Sequence, residues 1–145
     1  MDIDIRSANR TDEEMIANLA GQLGYPSSMH EIRERLMGIL EDGEQMVFVA
    51  ESVDNQVIGW IHVFRTQRLI VEPFVEVGGL IVGEGQRGSG VGQALLAAAE
   101  AWAQGFGLTS IRVRSNVIRE EAHSFYERQG YACVKQQNVF YKVIN

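Results

Sequence analysis

A run of glycines directly before a long alanine-rich helical pattern is the feature that most constrains this sequence. Val82–Ala103 reads VGEGQRGSGVGQALLAAAEAWA, and its first eleven residues contain five of the chain's 15 glycines. The first turn of a helix leaves backbone N–H groups unpaired and carries about half a positive charge. Glycines ahead of it allow positive φ and the close approach of a ligand. The stretch therefore predicts an anion site, and phosphate is the usual anion there.

The composition predicts one ordinary globular domain over residues 1–145. The chain is 46% hydrophobic and 22% charged, as in typical globular proteins. It opens MDIDIRSANRTDEE, which lacks the apolar run of a signal peptide, and it has no stretch of roughly 20 apolar residues. We therefore expect a cytoplasmic protein without a membrane partner. The net charge of −6 argues against nucleic acid as the main partner and suits a cationic acceptor.

Metal and disulfide chemistry are not expected. Cys133 is the single cysteine of the sequence, so neither an internal disulfide framework nor a thiolate metal site is predicted. His30, His62 and His123 are scattered and lack the spacing of metal ligands. We expect no metal cofactor.

Capping boxes and apolar periodicity predict the first two helices. A capping box pairs a first side chain that bonds to the backbone N–H three residues later with a second side chain that bonds back to the first N–H. Two residue pairs match this pattern, Thr11 with Glu14 and Ser28 with Glu31. The full predicted order is β-α-α-β-β-β-α-β-α-β-β. That order is typical of an α+β or mixed α/β domain with a central sheet.

The strand leading into the glycine loop has an unusual centre. Phe74–Val82 reads FVEVGGLIV, and Gly78 and Gly79 within it predict a β-bulge or a place where something approaches the backbone closely. At the other end of the chain, YACVKQQNVFYKVI predicts a final hairpin. Its apolar edge, NVFYKVI, would need covering, and a second copy of the chain in a homodimer is one way to cover it.

Three kinds of phosphate loop compete for the glycine run. A P-loop requires a lysine that reaches the terminal phosphates, and this region has none. Gly83, Gly85 and Gly88 spell the dinucleotide pattern G-x-G-x-x-G. That pattern also requires an acidic residue about 20 residues later, where this sequence has RVRSN. The dinucleotide site therefore stands only as an alternative.

The third pattern uses the other glycines. Arg87, Gly90 and Gly92 spell R-x-x-G-x-G after a strand that ends in valine and before a helix. Here the sequence resembles the GNAT superfamily of acyl-CoA N-acyltransferases. A second stretch, AHSFYERQGY at residues 122–131, resembles that family's second motif. The resemblance implies a GNAT-like fold, a mostly antiparallel mixed sheet of about six to seven strands flanked by about four helices.

The resemblance also implies where acetyl-CoA binds. The loop amides would hold its pyrophosphate, and the preceding strand would pair by main chain with the pantetheine arm, as an added strand does. The implied residues of the loop are Arg87, Gly88, Ser89, Gly90, Val91, Gly92 and Gln93, and those of the strand are Leu80, Ile81 and Val82. Where many family members carry an asparagine that contacts the pantetheine, this sequence has Arg119, and Asn116 is the nearest substitute.

Two residues carry the implied chemistry. Tyr126 matches the family tyrosine that protonates the departing CoA thiolate, a transfer that a phenol of pKa near 10 can make. An amine nucleophile must lose a proton before or during attack. Glu76, just before the two glycines, is the candidate proton acceptor, and Glu72 is a second one. The acceptor cleft would involve the segment between the first two helices, with Tyr25, Met29 and His30 as substrate residues.

The predicted function is transfer of an acetyl group from acetyl-CoA to a primary amine, by direct attack in a ternary complex. The acceptor is a small molecule or a protein amine that the sequence does not name. One alternative is a non-catalytic acyl-CoA sensor or interaction module with the same fold. A nucleotide-binding module of Rossmann type is a further alternative.

Overall fold

The computed structural model describes residues 2–22, 24, 28–115 and 119–145. They form two compact units, Met1–Val113 and Arg114–Asn145. The first unit contains a sheet, three α-helices and a short 3₁₀ helix at Arg10–Asp12. Its strands are β1 (Ile3–Ser7), β2 (Gln45–Ser52), β3 (Val57–Arg68), β4 (Val71–Val82) and β5 (Ile111–Val113), and its helices are α1 (Glu13–Gln22), α2 (Met29–Leu40) and α3 (Val91–Gly105).

The sheet follows chain order, β1-β2-β3-β4-β5. Successive pairs from β1 to β4 are antiparallel, whereas β4 and β5 are parallel. The parallel pair requires a crossover, and α3 provides it. The sheet is therefore mixed and mostly antiparallel, and the parallel pair directly follows the glycine loop.

Helices cover both faces of this sheet. Trp60 on β3 packs with the buried cluster that α1 and α2 contribute to, which includes Leu19 and Leu36. Its neighbour Gly59 points the opposite way, because side chains alternate along a strand. A Cβ atom on Gly59 would lie 3.0 Å from Cγ1 of Val91 on α3. The α1–α2 pair and α3 thus lie on opposite faces.

One of the two predicted capping boxes is confirmed, and the other is wrong. The Ser28 side chain caps α2 by accepting a hydrogen bond from the Glu31 N–H, and the Glu31 carboxylate accepts one from the Ser28 N–H. At the first site, however, the cap is Asn9 rather than Thr11, and Asp12 rather than Glu14 completes the box. The cause is a tertiary contact. The Arg6 guanidinium donates to both carboxylate oxygens of Asp12 at 2.9 Å, which holds Asp12 at this helix start.

The predicted β-bulge is present. The register of β3 and β4 shifts between His62, which pairs with Gly79, and Val63, which pairs with Val77, so that Gly78 is the extra residue. The parallel pairing of β4 with β5 ends at Val77. Beyond the bulge, β4 therefore continues without a described strand on that side.

The second unit contains α4 (Glu120–Arg128) and the segment after it. The helix ends in a Schellman motif, in which Tyr131 N–H donates to the Tyr126 carbonyl and Gly130 N–H to that of Glu127. Gly130 has a φ of +91°, a conformation that glycine adopts without strain.

The predicted final hairpin is not formed, since residues 131–145 have no regular secondary structure. A strand needs a partner for its backbone groups, and alternating apolar residues do not supply one. The described sheet accordingly has five strands rather than six or seven. The α+β class, the mixed sheet and the four helices agree with the expectation. Within the described part of the chain, no helix is long and apolar enough to cross a membrane.

The contact at Gly59 predicts a stability effect. An alanine there would bring Cβ within 3.0 Å of Val91 Cγ1 and 3.1 Å of the Ile81 carbonyl oxygen. We expect Gly59→Ala to lower the free energy of unfolding by about 1–3 kcal/mol through overpacking. Gly38→Ala is the matched control, since Gly38 is helical with no atom near its Cβ position, and it should stabilise by about 0.5–1 kcal/mol. Urea unfolding measures both, and a stable Gly59→Ala protein would contradict the close packing of α3.

Candidate active site

The glycine loop presents bare backbone at the start of α3. Gly85, Gly88 and Gly90 all have φ between +80° and +89°, which explains why glycine is needed at each. A Cβ atom on any of them would meet nothing within 4 Å, so the outer side of the loop is open. Gly90 is also the N-cap of α3 and makes no side-chain capping bond. The amide donors at this helix start are therefore not taken by a cap, as an anion site requires.

The base of the loop is anchored to the first unit. Gly83 N–H donates to the Ile58 carbonyl at 2.8 Å, and Glu84 N–H donates to Oε1 of Gln22 at 3.1 Å. A Cβ on Gly83 would lie 3.1 Å from Leu19. The loop thus begins at a tightly packed point and is exposed from residue 87 to residue 90.

The strand before the loop offers a backbone edge. β4 pairs with β5 only from Val75 to Val77, and no described strand occupies that side of residues 78–82. The predicted pantetheine residues, Leu80, Ile81 and Val82, lie on this stretch. Such an edge can accept an extended ligand through main-chain hydrogen bonds.

Glu76 lies two residues before the bulge and is largely covered, with its side chain 14% exposed. Its carboxylate has Nη2 of Arg68 at 3.9 Å, and its register partner on β5 is Arg112. Both guanidiniums also lie over the ring of the buried Phe74, at 5.4 Å and 4.2 Å. The two cations thus lie on the same side of β4 as the Glu76 carboxylate. Glu72, the other candidate, is exposed.

Three aromatic rings of β3 cover the glycine bulge, a feature that was not predicted from the sequence. A Cβ on Gly78 would lie 2.7 Å from Nδ1 of His62 and 3.0 Å from Cε1 of Phe64, and one on Gly79 would lie 3.1 Å from the Trp60 ring. The two glycines are therefore required by these rings. The alternation of side chains along β3 predicts that the three rings share one face of the sheet. Only the register between β3 and β4 shows that they lie opposite the glycines.

Tyr126 belongs to the second unit. Its ring packs edge-on against Phe125 at 5.3 Å and tilted against Tyr131 at 5.9 Å. Burial raises the pKa of the phenol above its usual value of 10, and the nearby Arg119 offsets this only in part. The hydroxyl therefore stays protonated at neutral pH, as a proton donor must.

The predicted acceptor residues are placed in part. Met29 and His30 lie in the first turn of α2. Met29 is exposed, and Nε2 of His30 lies 3.2 Å from a carboxylate oxygen of Glu34. Tyr25 and Asn116 lie outside the described residues. In the described ranges, no cluster of three or more His, Cys, Asp or Glu side chains could hold a metal ion.

The acetyltransferase (GNAT) family matches residues 12–131. This chain belongs to that family. It is also 30% identical over 131 residues to an aminoglycoside N(6′)-acetyltransferase type 1 from Stenotrophomonas maltophilia, a match that covers 88% of this chain and 84% of the relative. The family resemblance read from the two motifs is confirmed, and the chain is an acyl-CoA N-acyltransferase.

Solved structures show the same fold. The aminoglycoside antibiotic 6′-N-acetyltransferase AAC(6′)-Ih from Acinetobacter baumannii is similar with a TM-score of 0.88 and 16% identity, over 99% of this chain and 100% of that one. AAC(6′)-Iy in complex with the bisubstrate analogue CoA-S-monomethyl-acetylneamine has a TM-score of 0.89 and 20% identity, with the same coverage. Glucosamine-6-phosphate N-acetyltransferase from Arabidopsis thaliana has a TM-score of 0.84 and 19% identity, over 97% and 99%. Acetyl-CoA is the acyl donor expected of this family, and the open glycine loop fits it.

Proposed function

We propose that this protein, as one domain over residues 1–145, transfers the acetyl group of acetyl-CoA to a primary amine of an aminoglycoside. The observation that carries the proposal is the 30% identity to an aminoglycoside N(6′)-acetyltransferase over 88% of the chain. The net charge of −6 supports it further, because an aminoglycoside carries several ammonium groups and an acidic protein attracts it.

The donor site is assigned to the glycine loop and the β4 edge. The backbone from Arg87 to Gln93 would bind the pyrophosphate, since it includes two positive-φ glycines and a helix start without a side-chain cap. Within this range, the Ser89 N–H donates to the Gln86 carbonyl, which shapes the turn. The backbone of Leu80–Val82 would pair with the pantetheine arm. One strand N–H beside the bulge would polarise the thioester carbonyl, as the donors of an oxyanion hole do.

Acetyl transfer then proceeds by direct attack in a ternary complex. A bond forms between the amine nitrogen and the carbonyl carbon, and the bond between that carbon and sulfur breaks. Glu76 accepts a proton from the nitrogen, directly or through water, while Tyr126 donates a proton to the departing thiolate. The Tyr126 role rests on its place in the family motif and on its protonated, half-buried phenol. No covalent acyl-enzyme is required.

The test is release of free CoA thiol from acetyl-CoA with a panel of amines. We expect turnover with an aminoglycoside that has a 6′-amine, and at least about tenfold lower kcat/KM with one that has a 6′-hydroxyl there. A simple polyamine serves as a second comparison for charge alone. Equal rates with both aminoglycosides would assign the reaction to another amine. Saturable acetyl-CoA binding without turnover on any amine would favour the acyl-CoA sensor instead.

A further inference from the structure

A chain of hydrogen bonds fixes the proton position on His62. The Gln45 side-chain N–H donates to Oδ2 of Asp42 at 2.9 Å. This bond orients the amide, because a carboxylate accepts and the amide nitrogen is its donor. The amide oxygen of Gln45 then lies 2.8 Å from Nε2 of His62. Since a carbonyl oxygen can only accept, Nε2 carries the proton and Nδ1 bears the lone pair.

The lone pair on Nδ1 faces the glycine bulge. The Cβ position of Gly78 lies 2.7 Å from that nitrogen, and Gly78 itself is exposed. Glu76 pairs with Phe64 across the β3–β4 ladder, and directly paired residues share one face of a sheet. His62 Nδ1 and the Glu76 carboxylate are therefore two proton acceptors on one face beside the bulge, with Glu76 directly across from Phe64 and His62 two residues before Phe64 on β3.

The reaction requires two proton acceptors at the nitrogen. A primary amine enters as an ammonium with three protons and leaves as an amide with one, so two protons must be removed. An ammonium of pKa near 10 holds its proton much more tightly than the nitrogen does once it is bonded to the carbonyl carbon. The first removal therefore suits an imidazole, whose ordinary pKa of about 6.5 exceeds the value of about 4.3 of a carboxylate. Burial of His62 lowers its pKa and makes this difference in basicity smaller.

We propose that Nδ1 of His62 is the catalytic base that takes the first proton from the acceptor ammonium, and that Glu76 takes the second as the C–N bond forms. This inference rests on the proposed function. His62 releases its proton to solvent, as does Glu76. Tyr126 gives one proton to sulfur and recovers one from solvent, so one proton is released per acetyl group transferred.

Two carboxylates, Asp42 and Glu76, bear on the imidazole in this mechanism. Asp42, in the turn before β2, is linked to His62 through Gln45. Hydrogen bonds from the Gln45 side chain and the Glu44 backbone lower the pKa of Asp42. Glu76 on β4 is held near Arg68, with Arg112 of β5 as its register partner. Leu19 of α1 and Leu36 of α2 belong to the buried apolar cluster on this face, and Trp60 packs against that cluster. Burial lowers the pKa of His62, so the imidazole is neutral at pH 7 and can act as a base.

Two substitutions separate a catalytic base from a packing histidine. His62→Gln keeps an N–H donor for Gln45 but has no basic nitrogen. We expect it to lower kcat/KM for the amine by about 10²-fold with the Kd for acetyl-CoA within about twofold of wild type. Gln45→Glu places a carboxylate against Nε2 and stabilises the imidazolium, so the acidic limb of the pH profile should move to higher pH. Gln56→Glu, on the exposed β2–β3 turn, is the matched control and should leave the profile unchanged.

The outcomes distinguish this inference from the proposed function. If wild type turns over an amine and both His62→Gln and Gln45→Glu keep its rate and pH profile, His62 is not the base although the proposed function stands. If no amine is acetylated, both fail together. The imidazole ¹⁵N spectrum of the wild-type protein tests the inference without any measurement of turnover. It should show the proton on Nε2, and a proton on Nδ1 at neutral pH would overturn the inference by itself.

Discussion

Tyr126→Phe is expected to lower kcat by about 10²-fold, the loss typical of removing a general acid. In the proposed mechanism the phenol donates a proton to the departing thiolate, and a phenylalanine has no proton to give. The ring itself is retained, so its packing against Phe125 and Tyr131 should persist. We therefore expect the Kd for acetyl-CoA, measured by calorimetry, to stay within about twofold of wild type while thiol release falls.

The pH profile provides an independent check on Tyr126. Because burial raises the pKa of this phenol, wild-type activity should decline only as the pH rises above 10, and the variant should lack that decline. Tyr141→Phe is the control, since Tyr141 is exposed in the final segment and loses the same hydroxyl. A Tyr126→Phe enzyme with wild-type kcat would remove Tyr126 from the acid role and leave it a packing residue.

Local signals predicted local structure well. The capping box of Ser28 and Glu31 depends on residues three apart, and the bulge depends on two adjacent glycines that strands rarely tolerate. The first capping box was wrong because Arg6, from another element, holds Asp12 at the start of the helix. Thr11 and Glu14 match the pattern equally well in sequence. A tertiary ion pair decided between two caps that sequence alone left equivalent.

The final hairpin failed for a different reason. Residues 131–145 alternate apolar and polar side chains in part. Such alternation indicates which face of a strand would be buried, but it does not indicate whether a partner strand is available. Backbone pairing with a partner decides whether a strand forms. The apolar side chains of this segment, including Val139, Phe140 and Ile144, are exposed.

The candidate site was predictable where it follows one continuous stretch. Three parts of the candidate site are each one unbroken stretch of sequence: the glycine loop, the strand before it and the motif around Tyr126. Each was predicted from its own residues. The Asp42–Gln45–His62 chain was not, because Gln45 and His62 lie on different strands and meet only through the pairing of β2 with β3. Register, which the sequence does not state, places His62 opposite the glycines.

Glu76→Gln is expected to lower kcat by about 10²–10³-fold. The amide has the shape of the carboxylate but cannot accept the amine proton, and general-base catalysis contributes on this order. The fold should tolerate the change, since glutamine has the same size and shape and the contact with Arg68 is long at 3.9 Å. Acetyl-CoA binding should also persist, because the proposed donor site consists of the loop and the β4 backbone.

Glu72→Gln completes this test, because it removes a carboxylate from the same strand four residues earlier. Glu72 is exposed, whereas Glu76 is covered and lies beside the bulge on the face of His62. We expect Glu72→Gln to retain kcat within about twofold, and thiol release by the two variants at saturating acetyl-CoA gives the comparison. If Glu72→Gln loses activity and Glu76→Gln does not, the proton acceptor is the exposed carboxylate. The thioester would then have to be attacked away from the bulge, and the reason for two glycines there would be packing under the β3 rings alone.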